Sequence, residues 1–246
     1  MRVFIQKGSD GECLNVNGFT ALEGFRLMGW EIVPFVSDDV FLPDHAPDEV
    51  VVSHIDRVQR ALRDLGREVP AELGYPEVLQ PFLGRRIWPG TINAVATDPG
   101  QWPVFVKPRY SAKKFTGVLV QRLPDLRGCG DQSEDTPVWC SEPVDFVAEW
   151  RCFVRYGRIL DARHYRGDWR VHFDAQVAEQ AVAAYAAEAP AGYSLDVGRT
   201  ADGRTLLVEV NDGYSLGAYG LTPLSYAKLL SARWAQMTGT TDYCNF

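Results

Sequence analysis

The sequence predicts an α+β fold built from two units, and three observations carry that prediction. An apolar run, a stretch with helical spacing and a second apolar run open the chain in β-α-β order. From Val104 onward the pattern changes to short β runs in quick succession, separated by turn signals. An alanine-rich helix interrupts that second part and another helix closes it.

The elements follow in order. Arg2–Gln6 is a short apolar run and reads as a strand. Gly18–Gly29 carries Phe19, Leu22, Phe25, Leu27 and Met28 at roughly helical spacing. Trp30–Val36 is again strand-like, so this opening argues a parallel or mixed sheet. A loop rich in Asp and Pro spans residues 37–49. Glu49–Ser53 is a third strand. His54–Leu65 reads as an amphipathic helix, with Ile55, Val58, Ala61, Leu62 and Leu65 inward and arginines outward; Gly66 is its stop. Residues 67–102 are rich in Pro and Gly and read as a connecting region. The boundary is set at 1–85 and 86–246.

The second unit reads as an antiparallel meander of Val104–Val106, Gly117–Gln121, Val138–Cys140, Glu149–Val154 and Arg158–Tyr165. Ala175–Ala189 is a helix. Ser194–Val197 and Thr205–Val210 form a hairpin around an Ala-Asp-Gly turn. The last helix covers Pro223–Thr238.

Length and composition narrow the function classes. At 246 residues the chain suits one large domain or two small ones. Its net charge of −7 lacks the global basic footprint of a nucleic-acid binder, although a local phosphate pocket needs only a few cations. No run approaches the roughly 18 apolar residues of a membrane span. The N-terminus turns polar after five residues, which is unlike a secretory signal. The five cysteines contain no CxxC, and His45, His54, His164 and His172 show no HExxH spacing. A reducing cytoplasm is the expected setting.

Three segments carry chemistry. VFVKPRYSAKKFTG, residues 104–117, delivers Lys107 on a strand and follows it with Arg109, Lys113 and Lys114 in a loop. Four cations so close together suit a polyphosphate, lysine as a point charge and arginine as a bidentate donor; a solvated basic turn is the plain alternative. WCSEPVDFVAEWRCFV, residues 139–154, places Glu142 and Glu149 seven apart, with Arg151 two beyond. On a strand Glu149 and Arg151 share a face, opposite Trp150 and Cys152. They suit a site, with the carboxylate accepting from ribose hydroxyls, or a surface ion pair. YSLDVGRTADGRTLLVEVNDGYSLGAYG, residues 193–220, holds Asp196 on one strand and Glu209 and Asn211 on its partner. Carboxylate and amide oxygens are hard ligands that suit Mg²⁺.

Taken in this order, the three segments resemble the ATP-grasp superfamily over roughly residues 85–220. The resemblance implies two α+β subdomains clasping ATP, preceded by a small β-α-β domain. It implies that Lys107, Lys113 and Lys114 hold phosphates. Glu142, Val144 and Glu149 would frame the adenine hinge and the ribose. Asp196, Glu209 and Asn211 would bind Mg²⁺. Asp196 and Glu209 are thirteen apart, as in the superfamily pattern. The superfamily's earlier lysine has no counterpart; Arg85 or Arg86 in FLGRRIWPG stands in its place, and Arg86 is taken as the cofactor-binding residue, with a surface pair as the alternative. EWRCFV and EVND are similar to a divergent clade marked by an arginine and two lysines, which includes a eukaryotic assembly factor for translation initiation. The implied activity is a carboxylate–amine ligase working through an acylphosphate on an amino acid, peptide or protein, with Arg151 and Arg163 at the reacting phosphate. An ATP-binding assembly factor and a phosphotransferase are the alternatives. The glycine-containing loop at residues 212–221 would lie near the acceptor, with Asp212 as a candidate third carboxylate.

Overall fold

Arg2–Gln6 forms strand β1, and four of its five side chains are buried. Helix α1 (Val16–Leu27) follows, capped by the Asn15 side chain, which accepts from the backbone N–H groups of Asn17 and Gly18. Strand β2 (Glu31–Phe35) and strand β3 (Val50–Val52) both pair parallel to β1. The sheet order is β2-β1-β3, with helix α2 (Ile55–Asp64) after it. The structure, a computed structural model, describes residues 1–36, 45–109, 115–130 and 134–246.

The region read as a connector contains regular structure. Helix α3 (Gln80–Leu83), strand β4 (Ile87–Thr91) and helix α4 (Ile92–Thr97) lie within it. The sequence IWPGT hides β4, because Pro and Gly both argue against a strand. An edge strand tolerates proline, and β4 is an edge.

The strands after β4 divide into two antiparallel sheets instead of one meander. Strands β5 (Val104–Pro108), β6 (Val118–Val120) and β7 (Pro137–Ser141) join β4 in the order β4-β7-β5-β6. Strands β8 (Phe146–Arg155), β9 (Arg158–Gly167), β10 (Gly192–Thr200) and β11 (Thr205–Asp212) make the second, in the order β11-β10-β8-β9. Helix α5 (Ala175–Tyr185) covers one face of this larger sheet through Ala178, Ala181, Val182 and Tyr185. Helix α6 (Pro223–Thr238) closes the chain. Among the described residues, no helix is long and apolar enough to cross a membrane.

The first hydrophobic core draws on both ends of the chain. β1, β3, α1 and α2 share it with Leu216, Ala218, Leu221 and the buried face of α6, including Tyr226, Leu229 and Trp234. The loop that follows β11 is thereby anchored to the parallel sheet. Asn17 accepts from the Ala218 N–H at 2.9 Å, and Ser215 donates to the Ser53 carbonyl at 2.7 Å.

Close approach of α1 and α6 depends on Gly24. A Cβ there would lie 2.0 Å from the Pro223 carbonyl oxygen and 2.7 Å from the Ala227 Cβ. Backbone cannot yield that far without separating the two helices. Gly24→Ala is expected to destabilise the fold by about 1–3 kcal/mol through overpacking, despite alanine's better helix propensity. Thermal unfolding reads the effect, and an unchanged midpoint would show that the contact yields.

Candidate active site

Asp196 on β10 and Glu209 on β11 stand opposite each other in register. Asn211 lies two residues beyond Glu209 and shares its face. Its side-chain amide donates to Asp196 at 3.3 Å and to Glu209 at 3.2 Å. The three residues read from the sequence as metal ligands therefore converge.

A bulge aims Glu209. The β10–β11 register slips between Asp196 and Val197, so that Val208 is the extra residue on β11. The carbonyls beside the slip accept from one side chain. Arg85 donates to the Leu207 oxygen at 2.7 Å and to the Val208 oxygen at 2.9 Å. It also donates to the Ser141 hydroxyl at 3.1 Å, which ties β11 to the end of β7. Burial lowers the Arg85 pKa. Its guanidinium remains charged there, as arginine does throughout proteins.

A second bulge serves Glu149. The β8–β9 register slips between Glu149 and Trp150, leaving Tyr165 as the extra residue. Tyr165 and Arg166 thus reach the same carboxylate, although they are neighbours in sequence. Each donates to Glu149 at 2.6 Å. Burial, followed by the surrounding carboxylates, raises the Tyr165 pKa and keeps its hydroxyl a donor.

The cations complete the cluster. Arg151 lies opposite Asp196 across β8 and β10 and grips both its oxygens, at 2.8 and 2.7 Å. Asp196 is only 1% exposed. Burial pushes its carboxyl up to about 6 against the lowering effect of Arg151. Lys107, at the end of β5, reaches across from the smaller sheet to Glu209 at 2.7 Å. Burial disfavours the charge on both partners, but their attraction prevails. Lys107 is held above its ordinary pKa and Glu209 below its own.

Aromatic rings flank these charges. Lys107 sits 4.6 Å from the Tyr75 ring centroid. Arg151 lies 4.6 Å from the Tyr219 ring, which stacks on Tyr165 at 5.1 Å. Tyr219 holds a left-handed backbone, φ 44°.

Some sequence-predicted residues lie elsewhere. Arg86 is exposed; its N–H donates to Glu142 at 2.9 Å and its guanidinium lies over the Trp88 ring at 4.5 Å. Arg85, not Arg86, enters the cluster, because adjacent residues entering β4 direct their side chains differently. Glu142 is exposed and pairs with Arg86, while Val144 lies half-buried in the link between β7 and β8. Arg163 stands opposite Arg151 on β9 and pairs with Asp161 at 2.5 Å, leaving its buried Nε without a hydrogen-bond partner. Asp212 points to the other face of β11, where Arg233 of α6 binds both its oxygens at 2.6 and 2.7 Å. It does not join Asp196 and Glu209. Lys113 and Lys114 lie outside the described residues. Tyr75, Tyr165, Arg166 and Tyr219 escaped sequence reasoning. The glycine-containing loop was the signal for Tyr219; for Tyr75 the sequence offered none.

A family model described as an ATP-grasp domain, R2K clade family 2, matches residues 82–229. The chain belongs to this ATP-grasp family.

Solved structures agree on the ATP-grasp fold. D-alanine–D-alanine ligase from Bacillus anthracis is similar with a TM-score of 0.59 and 17% identity, covering 97% of each chain. L-amino acid ligase from Bacillus licheniformis is similar with a TM-score of 0.57 and 13% identity, covering 93% of this chain and 75% of that one. The ATP-grasp ligase PsnB, complexed with minimal precursor, Mg and ADP, gives 0.51 and 14% identity, covering 95% of this chain and 97% of its own. A search of the curated proteins found no match. The ATP-grasp match begins just before Arg85 and includes both bulges.

Arg85→Met would leave the Leu207 and Val208 carbonyls without their donor. The expected cost is about 1–3 kcal/mol for the buried groups left unsatisfied. Denaturant unfolding measures it; a midpoint equal to that of the wild type would show that Arg85 does not hold the bulge.

Proposed function

We propose that the chain is an ATP- and Mg²⁺-dependent carboxylate–amine ligase acting on an amino acid, peptide or protein. The observation that carries the reading is the meeting of Asp196, Glu209 and Asn211 with Lys107 from the facing sheet.

The donor chemistry fits magnesium. Among the described residues, no three His, Cys, Asp or Glu side chains form a metal cage. Mg²⁺ needs no such cage, since it binds through one or two carboxylates, retains waters and takes substrate phosphates as further ligands. Asp196, Glu209 and Asn211 would hold it. When bound, it would neutralise phosphate charge.

The remaining residues have assignable work. Lys107 would move from Glu209 to a phosphate oxygen. Glu149, already the acceptor for Tyr165 and Arg166, suits ribose hydroxyls. Arg151 would face the transferring phosphate; Arg163, held by Asp161, is left out of that role. A substrate carboxylate oxygen bonds to the γ-phosphorus as the bond to ADP breaks. The amine nitrogen then bonds to the acyl carbon, loses a proton and displaces inorganic phosphate. Positioning and charge stabilisation dominate such phosphoryl transfer.

A cavity of about 130 Å³ supports an acceptor site beside this chemistry. It opens at the ends of β1 and β3, where Gln6, Asn17, Ser53 and Ser215 line it. Open sheets bind ligands beyond the carboxyl ends of their strands, where the strand order reverses. The loop carrying Ser215 continues to Gly217, whose added Cβ would lie 3.5 Å from Arg151 Nη1. This loop joins the cavity to the charged cluster. The five free thiols fit a reducing cytoplasm.

Phosphate release from ATP, screened against amino acids and peptides, tests the proposal. Glu209→Gln is expected to abolish release while leaving the far-ultraviolet circular dichroism unchanged. Full activity of Glu209→Gln would remove Glu209 from the site. Nucleotide binding without release under any acceptor would favour the assembly-factor role instead. A stable phosphoester product would favour a phosphotransferase.

A further inference from the structure

We propose that Lys107 is a built-in counter-ion that excludes a metal ion from Glu209 until a nucleotide arrives, so that metal and nucleotide enter the site together. The inference rests on the nucleotide-and-metal reading of this cluster.

Among the described residues, each carboxylate of the cluster is matched by one cation. Glu149 pairs with Arg166, Asp196 with Arg151 and Glu209 with Lys107. Arg85 adds a fourth cation beside them, bonded to carbonyls and a hydroxyl. Among the described residues of this cluster, three carboxylates and four cations leave no surplus negative charge for a divalent ion. A metal arriving alone must break the 2.7 Å Lys107–Glu209 contact and remain beside the displaced ammonium. A polyphosphate removes that conflict. It brings negative charge for Lys107 and oxygen ligands for the metal at once.

The geometry selects Lys107 as the movable partner. Arg151 is bidentate, central in β8 and nearly sealed from solvent. Lys107 lies near the end of β5 and makes one charged contact, on a long stem with rotatable bonds. Its ammonium can leave Glu209 without disturbing a strand. Arg151 cannot leave Asp196 without uncovering a buried charge. The arrangement makes metal and nucleotide affinities mutually dependent, and linkage requires that dependence to be reciprocal.

Calorimetric titration of the full chain with Mn²⁺ tests this, with and without a non-hydrolysable ATP analogue. The wild type is expected to bind Mn²⁺ weakly alone and at least tenfold more tightly with the analogue. Lys107→Met should raise the affinity for Mn²⁺ alone at least tenfold. Adding Glu209→Gln to that variant should remove the gain, and Lys107→Arg should retain the exclusion. Lys107→Gln is read in place of Lys107→Met if the latter does not fold. Equal Mn²⁺ affinity of the wild type with and without bound analogue overturns the inference. So does analogue binding together with an unchanged metal-alone affinity in Lys107→Met. Failure of the wild type to bind the analogue at all overturns the ligase reading, and this inference with it.

Discussion

The Arg151–Asp196 pair is the constraint around which the site is organised. A carboxylate as buried as Asp196 is costly unless it is paired and hydrogen-bonded. Arg151 supplies both conditions from the adjacent strand, with two hydrogen bonds to the two oxygens. Removing one partner of such a pair typically costs about 3–5 kcal/mol, because the other charge is left behind. The pair therefore fixes where the sheet's polar face lies. Asn211 then bridges Asp196 to Glu209, and Glu209 draws Lys107 across from the second sheet.

Two irregularities give this face its aim. Regular strands would alternate side chains with a strict period of two. The extra residue at Val208 resets that alternation before Glu209, and Arg85 satisfies the carbonyls on either side of the slip. The extra residue at Tyr165 brings two donors to Glu149 in place of one. Both bulges lie beside carboxylates of the same cluster, which is how sheets commonly re-aim side chains next to a site. The opposite face remains ordinary: Trp150 and Cys152 pack in the core with α5.

Much of this was legible in the sequence, for local reasons. β1 and α6 have the expected bounds, because an apolar run and a long periodic helix carry their own signals. Glu149 with Arg151, and Glu209 with Asn211, follow from two-residue alternation. Asp196 was legible through the hairpin that brings it opposite Glu209. The losses are non-local. Nothing in GRR says which arginine will find two carbonyls more than a hundred residues away. Asp212 could not be assigned without knowing that Arg233 of α6 reaches its carboxylate. β4 was missed because its edge position, which makes Pro89 acceptable, is a property of the sheet and not of the segment.

The most direct test of the account is anomalous diffraction from crystals grown with Mn²⁺ and a non-hydrolysable ATP analogue. The account predicts an anomalous peak bridged by Asp196, Glu209 and Asn211 to the phosphates, with Lys107 moved onto a phosphate oxygen. Bound nucleotide with its metal away from these three side chains, or with Lys107 still on Glu209, would contradict it.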